Sequence, residues 1–203
     1  AATLSTHQRL SIAKYLSGSS LSPPAPLWMC SDMPLALAPV GETSWTGWGG
    51  NQFNHRQVSA EVDVLTKSEV STLALKWVFA YPGATRARSQ PLVHGGVVYV
   101  GSQEGAVYAL DLESGCAQWV YQAGAEVRNG PSLVDVPGVD APLLVFGDFD
   151  ARIHGVNARS GESVWMTDVS THPDATITGS VKIAAGNIYV PISSSEWATA
   201  ADP

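Results

Sequence analysis

Charged residues are scarce in this sequence of 203 residues, where they make up 14% of the chain and leave a formal net charge of −7. Proteins that bind a phosphate backbone concentrate Lys and Arg on one surface, and only 11 such residues are present. Nucleic acid is therefore excluded as an expected partner. No run of 18 apolar residues occurs, so no transmembrane helix is predicted. The first residues also lack the basic and then apolar profile of a signal peptide.

Cysteine is equally scarce, with only Cys30 and Cys116 in the chain. They form no CxxC pair, so neither a zinc site nor a thioredoxin-type redox site is indicated. No CxxCH motif is present, which excludes covalent attachment of haem to this chain. The two cysteines are either two buried thiols or one disulfide formed in an oxidising compartment.

Sequence signatures of common catalytic sites are also missing. The five histidines are scattered and none belongs to an HExxH motif. The glycine pairs are not followed by the helix with Lys and Ser or Thr that a phosphate-binding loop requires. Asp148 and Asp150 lack the further acidic spacing of an EF-hand, and a hairpin turn is the expected structure there.

Three tryptophans recur at nearly regular intervals: Trp77, Trp119 and Trp165 are separated by 42 and 46 residues. Residues 100–111 align without a gap on residues 146–157, and a Ser-Gly pair precedes both Trp119 and Trp165 by the same distance. Internal repeats of this length indicate propeller blades or solenoid units. We predict an all-β fold, a partial β-propeller, with the tryptophans packed as large apolar plates between blades.

The strands of each blade are predicted from β-branched and aromatic runs that are separated by turn residues. Asp111 and Asn157 each stand three residues before a Ser-Gly turn, where a side-chain oxygen can accept hydrogen bonds from turn amides. A further strand is predicted from Leu73 to Tyr81. Two complete blades and parts of two more are present, so we expect the chain to be the front portion of a longer protein.

Three regions are predicted along the chain. Residues 1–18 contain a short helix, because a capping-box spacing precedes apolar residues on one helical face. Residues 19–44 are rich in Pro and Ser and are predicted to be a linker. Residues 45–203 are predicted to form the incomplete propeller.

The start of the propeller region resembles the pyrroloquinoline quinone (PQQ) dependent dehydrogenases, an eight-bladed quinoprotein family. The resemblance extends over about residues 45–200 and covers about three of the eight blades. The motifs that carry it are Trp45-x-Gly47-x-Gly49-Gly50-Asn51, Leu65-Thr66-x-x-x-Val70-x-x-Leu73-x-x-x-Trp77 and Gln90-Pro91-Leu92-Val93.

A candidate cofactor site follows from the same resemblance at Thr176-Ile177-Thr178-Gly179-Ser180 and at Ser193-Ser194-Ser195-Glu196. A glutamate at the position of Glu196 binds the calcium ion beside PQQ in this family. A hard divalent cation prefers carboxylate oxygen and acts as a Lewis acid. The resemblance also implies that Ser193, Ser194, Ser195 and Thr178 contact the cofactor. The alternative is that residues 193–196 form only a polar hairpin turn.

Arg128 is similar to the arginine that these enzymes direct at the anionic cofactor, where a planar guanidinium binds carboxylates. The alternative is a surface arginine at the start of a strand. Two positions differ from the family pattern. Residues 122–126 contain no adjacent cysteine pair, and Arg88 occupies a place where an acidic cofactor contact is common.

Within the family, the chain resembles the quinohaemoprotein polyvinyl alcohol dehydrogenases, which carry a cytochrome c domain before the propeller. The helix in residues 1–18 is similar to the last helix of such a domain, and haem c would belong to that missing upstream domain. Cys30 and Cys116 also fit this subgroup. The resemblance implies hydride transfer from alcohol groups, including those of a polymer, to PQQ, with a cytochrome c as electron acceptor. It also implies a periplasmic or secreted protein, whose catalytic base lies in later blades.

Two other functions are compatible with the same repeats. Propellers of the outer-membrane assembly scaffold type keep the blade motifs but use edges and loops to bind partner proteins. An inactive fragment would also keep the motifs, and the missing cysteine pair favours that alternative.

Overall fold

The computed structural model describes residues 28–31, 37, 40, 44–50, 53–57 and 65–196. The predicted helix in residues 1–18 lies outside the described residues, as does most of the predicted linker. Apart from one short 3-10 turn, the described elements are β-strands, which confirms the all-β prediction. No helix in the described ranges is long and apolar enough to cross a membrane.

The described elements follow one another along the chain with short connections. After the 3-10 turn Glu69–Thr72 come β1 Leu92–His94, β2 Val97–Gly101, β3 Ala106–Asp111, β4 Ala117–Gln122, β5 Ser132–Val134, β6 Leu143–Gly147, β7 Arg152–Asn157, β8 Ser163–Asp168, β9 Ala175–Thr176, β10 Lys182–Ala184, β11 Asn187–Tyr189 and β12 Ser193–Ser194.

The strands form two complete blades and the beginning of a third. Blade 1 is the antiparallel sheet β1-β2-β3-β4, and blade 2 is the sheet β5-β6-β7-β8. The pairs β10-β11 and β9-β12 follow in the third blade. Tyr99 pairs with Ala109 in blade 1, and Val145 pairs with Gly155 in blade 2, as the ungapped repeat requires. The register shift between the third and fourth strands also recurs at the equivalent place in both blades.

The turn before each fourth strand has the predicted geometry. Asp111 Oδ1 accepts hydrogen bonds from the backbone N–H of Glu113 at 3.2 Å and of Ser114 at 2.7 Å. Asn157 Oδ1 accepts the equivalent pair in blade 2. Gly115 and Gly161 then adopt φ of +75° and +74°, which side chains with a Cβ rarely tolerate.

Trp77 and Trp119 each pack against the turn of the next blade, which agrees with the predicted plates between blades. A Cβ on Gly115 would lie 2.6 Å from the ring of Trp77, and one on Gly161 would lie 2.7 Å from the ring of Trp119. The Trp119 indole N–H donates to the carbonyl of Ala158 at 3.1 Å. Trp165 is partly buried in the apolar cluster between blade 2 and the third blade.

The segment from Leu73 to Tyr81 does not form the predicted strand, since no ladder of backbone hydrogen bonds involves it among the described residues. Its pattern is nevertheless alternating. Phe79 and Tyr81 pack on Tyr108 of blade 1, whereas Val78, on the other side of the segment, is 74% exposed. An apolar alternation can place one face of a segment on a core, but a strand also requires a hydrogen-bonded neighbour.

Cys30 and Cys116 form a disulfide, which decides between the two alternatives that the sequence left open. The disulfide lies beside a short parallel bridge between Met29 and Ala117, at the outer edge of blade 1. Trp28 packs edge-on against Phe79. Residues 28–30 are therefore attached to the blade by covalent, hydrogen-bonding and apolar contacts.

Candidate cofactor-binding cleft

The segments that precede the innermost strands of the three blades converge on one cleft of about 630 Å³. Arg88 precedes β1, Arg128 precedes β5 and Thr178 precedes β10. Asn129, Gly179, Ser180, Lys182 and the partly exposed ring of Trp48 complete the lining. The structure therefore brings together two residues predicted for the cofactor site, Arg128 and Thr178.

Arg128 is held by contacts on two sides. Its Nη2 lies 2.8 Å from a carboxylate oxygen of Glu126, and its guanidinium carbon lies 4.1 Å from the centre of the Phe149 ring. Its Nε is buried and has no hydrogen-bond partner among the described residues. A guanidinium fixed in this way has little conformational freedom to lose when an anion binds.

The backbone on this side of the cleft is held by the side chain of Asn129. The Asn129 amide nitrogen donates to the carbonyl of Gly147 at 2.7 Å, and its oxygen accepts from the N–H of the same residue at 3.3 Å. The N–H of Gly130 donates to the hydroxyl of Ser180 at 2.9 Å, which connects blade 2 to the third blade. These hydrogen bonds hold the backbone from which Arg128 projects.

Six residues that line the cleft were not among the predicted contacts, and three of them, Arg88, Lys182 and Trp48, carry a charged or aromatic side chain. The Lys182 ammonium donates to the backbone carbonyl of Trp48 at 2.8 Å, and partial burial lowers the pKa of this lysine. Arg88 could have been predicted from the sequence, because it precedes its strand by the same number of residues as Arg128 does. No sequence pattern predicts Lys182 and Trp48, since these residues are 134 positions apart and meet only in the folded structure.

The other predicted site residues lie elsewhere. Ser193, Ser194 and Glu196 line a second, smaller depression of about 300 Å³. Ser195 is turned towards Asp174, whose carbonyl accepts from the Ser195 hydroxyl at 3.2 Å and from its backbone N–H at 2.8 Å. The structure thus separates Glu196 from Arg128, and their joint action on one ligand stays a prediction.

A group of potential metal ligands lies at the smaller depression, two of which line it. One ligand atom from each of His172, Asp174 and Glu196 lies within 4.8 Å of the others. The distance between His172 Nε2 and a carboxylate oxygen of Glu196 is 3.6 Å. The two carboxylates suit a hard cation such as calcium, whereas an imidazole nitrogen is a ligand for softer metals.

Asp148 belongs to a buried polar network with a structural role in the turn between β6 and β7. Its carboxylate accepts from the Arg152 Nε at 2.8 Å and lies 3.0 Å from the His154 Nε2. Burial raises the Asp148 pKa, but hydrogen bonds from His154 and Arg152 and their charges outweigh it, so the pKa lies below its usual value. The predicted hairpin turn is confirmed.

Comparisons with known proteins agree with this architecture. The family model described as outer membrane protein assembly factor BamB, the PQQ_2 repeat, matches residues 38–201. A polyvinylalcohol dehydrogenase of Sphingopyxis sp. is 35% identical over 177 residues, and a BamB protein of Xanthomonas campestris pv. campestris is 29% identical over 143 residues. These matches cover 86% and 66% of this chain.

The chain spans only 26% of the length of that dehydrogenase and 35% of that BamB protein. Among solved structures, a quinohemoprotein alcohol dehydrogenase of Comamonas testosteroni superimposes with a TM-score of 0.62 at 20% identity. That match covers 76% of this chain and 24% of the other, and it supports the propeller fold. On the match to residues 38–201 and the repeated blades, the chain belongs to the PQQ_2 repeat family of β-propeller proteins.

Proposed function

We propose that this chain forms part of a PQQ- and calcium-dependent dehydrogenase that oxidises alcohol groups. The observation that carries the proposal is the cleft of about 630 Å³, in which basic and hydroxyl side chains from three blades meet an exposed tryptophan. PQQ is a planar, anionic tricarboxylate, and guanidinium and hydroxyl groups are suitable partners for carboxylates. The volume lies within the range of about 300–1,000 Å³ that is typical of small-molecule sites.

Arg128 and Thr178 are the residues of the predicted set that would hold the cofactor in this cleft. Arg128 is already oriented by Glu126 and Phe149, so its guanidinium can bind an anion without a large rearrangement. Thr178 is exposed on the third blade, next to the blade of Arg128, and can offer a hydroxyl group. When bound, PQQ supplies the hydride acceptor, and the protein supplies position and charge.

Glu196 and Asp174 would hold the calcium ion, because their carboxylates lie close together and provide hard oxygen ligands. Ser193, Ser194 and Ser195 stay proposed as cofactor contacts on this side. The Ser195 hydroxyl donates to the backbone carbonyl of Asp174 and so helps to hold Asp174 in position.

The substrate and partners are proposed from the relatives. The 35% identity to a polyvinylalcohol dehydrogenase supports an alcohol substrate, including a polymeric one. One further relative is named a cytochrome c-linked butanol dehydrogenase, which supports a cytochrome c acceptor. We place the protein in the periplasm or outside the cell, where a disulfide such as Cys30–Cys116 is stable.

A second candidate function is a scaffold that binds partner proteins through its loops. The description of the matching family model and the 29% identical BamB protein favour it. Such a scaffold would not require a basic cleft at the start of the innermost strands.

A titration of the purified chain with PQQ and calcium tests the proposal, followed by quinone absorbance and thermal melting. We expect binding that Arg128→Gln removes and that loses its calcium dependence in Glu196→Ala. Arg159→Gln is the matched control, since Arg159 is a partly buried arginine paired with Asp140 outside the cleft. A chain that melts cooperatively but does not bind PQQ would refute the dehydrogenase proposal and favour the scaffold.

A further inference from the structure

The cleft is built from one repeated position in three blades. Arg88, Arg128 and Thr178 each stand four residues before an innermost strand, namely β1 at Leu92, β5 at Ser132 and β10 at Lys182. Blades of a propeller are related by rotation about a central channel, so equivalent positions lie around that channel. All three residues accordingly line the same cleft.

The backbone around this repeated position is the same in blades 1 and 2. Gly101 N–H donates to the hydroxyl of Ser89 at 3.0 Å, and Gly147 N–H donates to the side chain of Asn129 at 3.3 Å. The Ser89 hydroxyl in turn donates to the carbonyl of Asn129 at 2.8 Å, which joins the two blades. Arg88 therefore projects from a braced segment equivalent to the one that carries Arg128.

The charge of the cleft comes mainly from residues other than Arg128. Glu126 lies against Arg128 and neutralises much of its charge. Arg88 and Lys182 add two positive charges, and no acidic residue is among the described residues that line the cleft. A positive cleft in a chain with a formal net charge of −7 runs against the overall charge and indicates an anionic ligand.

We propose that Arg88 and Lys182 bind carboxylates of the ligand beside Arg128, so that three consecutive blades together recognise a planar polycarboxylate. The inference rests on the proposed function and deepens it, because it assigns specificity to two residues outside the resemblance. Arg88 would then contact the ligand with a positive charge, at a position where relatives commonly carry a negatively charged residue. Lys182 would act both on the ligand and, through the Trp48 carbonyl, on the segment that carries the exposed aromatic ring.

The test is PQQ binding by the full chain at low and at physiological salt, measured by quinone absorbance and calorimetry. Hydrogen bonds between charged groups are stronger than neutral ones, so Arg88→Gln and Lys182→Gln should each weaken binding about tenfold or more. Both should also reduce the dependence of affinity on salt. Lys182→Arg should retain most of the affinity, because it keeps the charge.

Lys76→Gln is the matched control, since Lys76 is exposed and pairs with Glu113 outside the cleft. It should bind PQQ like the unchanged chain. Melting curves of all variants establish that each one is folded, so that a loss of affinity is assigned to the cleft.

The outcomes separate this inference from the proposed function. If Arg128→Gln loses PQQ while Arg88→Gln and Lys182→Gln bind normally, the inference is refuted and the proposed function stands. If the unchanged chain does not bind PQQ, the same variants are titrated with trimesate, a planar benzene tricarboxylate. Trimesate binding that both variants weaken would support the polycarboxylate cleft and refute the quinone cofactor. Absence of binding to either compound would overturn both.

Discussion

Replacing Gly161 by alanine should destabilise this protein more than the same replacement at Gly186. Both glycines adopt φ of +74°, so both variants place an alanine in the left-handed region at a cost of about 1–2 kcal/mol. The surroundings differ. A Cβ at position 161 would lie 2.7 Å from the ring of Trp119, whereas one at position 186 would have nothing within 4 Å.

The ring of Trp119 has little room to move away. It is 7% exposed, and its N–H donates to the carbonyl of Ala158 at 3.1 Å. Forcing an extra methyl group into a packed core costs about 1–3 kcal/mol. We therefore expect Gly161→Ala to lose about 1–3 kcal/mol more than Gly186→Ala, which corresponds to about 2–12 °C in melting temperature for a domain of this size.

Urea unfolding followed by tryptophan fluorescence and by circular dichroism measures both free energies of unfolding. A double-mutant cycle of Gly161→Ala with Trp119→Phe adds a direct test, because a smaller ring should accept the new methyl group. A favourable coupling of at least about 0.5 kcal/mol is expected for residues in contact. Equal destabilisation by Gly161→Ala and Gly186→Ala would show that contact with the Trp119 ring adds nothing to the cost of a methyl group at position 161, and would refute the argument.

Two further predictions concern the disulfide and the buried carboxylate. Cys116→Ser should lower the free energy of unfolding by about 2–4 kcal/mol, since the disulfide joins residues 86 positions apart. Reductant should reproduce this loss in the unchanged chain, and a melting temperature insensitive to reductant would contradict it. Asp148→Asn should cost about 1.5–3 kcal/mol at pH 7 because it removes a charged hydrogen-bond acceptor. The folded pKa of Asp148 lies below its ordinary value of 3.8, so its stabilisation is full above about pH 4 and is lost as the pH falls further. The free energy of unfolding of Asp148→Asn should consequently change less between pH 5 and pH 2, and parallel pH profiles of the two proteins would refute this assignment.

The candidate site could be predicted only in part. Arg128 and Thr178 were predicted from motifs that resemble a known family, and the structure places them in one cleft. Glu196 was predicted in the same way but lines a different depression, beside His172. Motif spacing gives the order of residues along the chain, whereas the distance between two sites depends on how a hairpin packs on its neighbours.

The segment Leu73–Tyr81 shows a similar limit of prediction. Its alternation of apolar residues is present in the sequence, and one face does pack on Tyr108. Strand pairing was predicted but is absent among the described residues, because alternation contains no information about a hydrogen-bonding partner.

The sequence by itself determined the blades, since their strands, Asx turns and positive-φ glycines depend on contacts within about one repeat, such as Asp111 with Ser114. The tertiary structure alone decided that Cys30 pairs with Cys116 and that Arg88, Arg128 and Lys182 share a cleft. These residues come from different blades or from outside them, and their approach results from the rotation between blades. The repeat predicts that plates such as Trp119 pack on the next blade, but the angle between blades depends on contacts between blades, which no local pattern specifies.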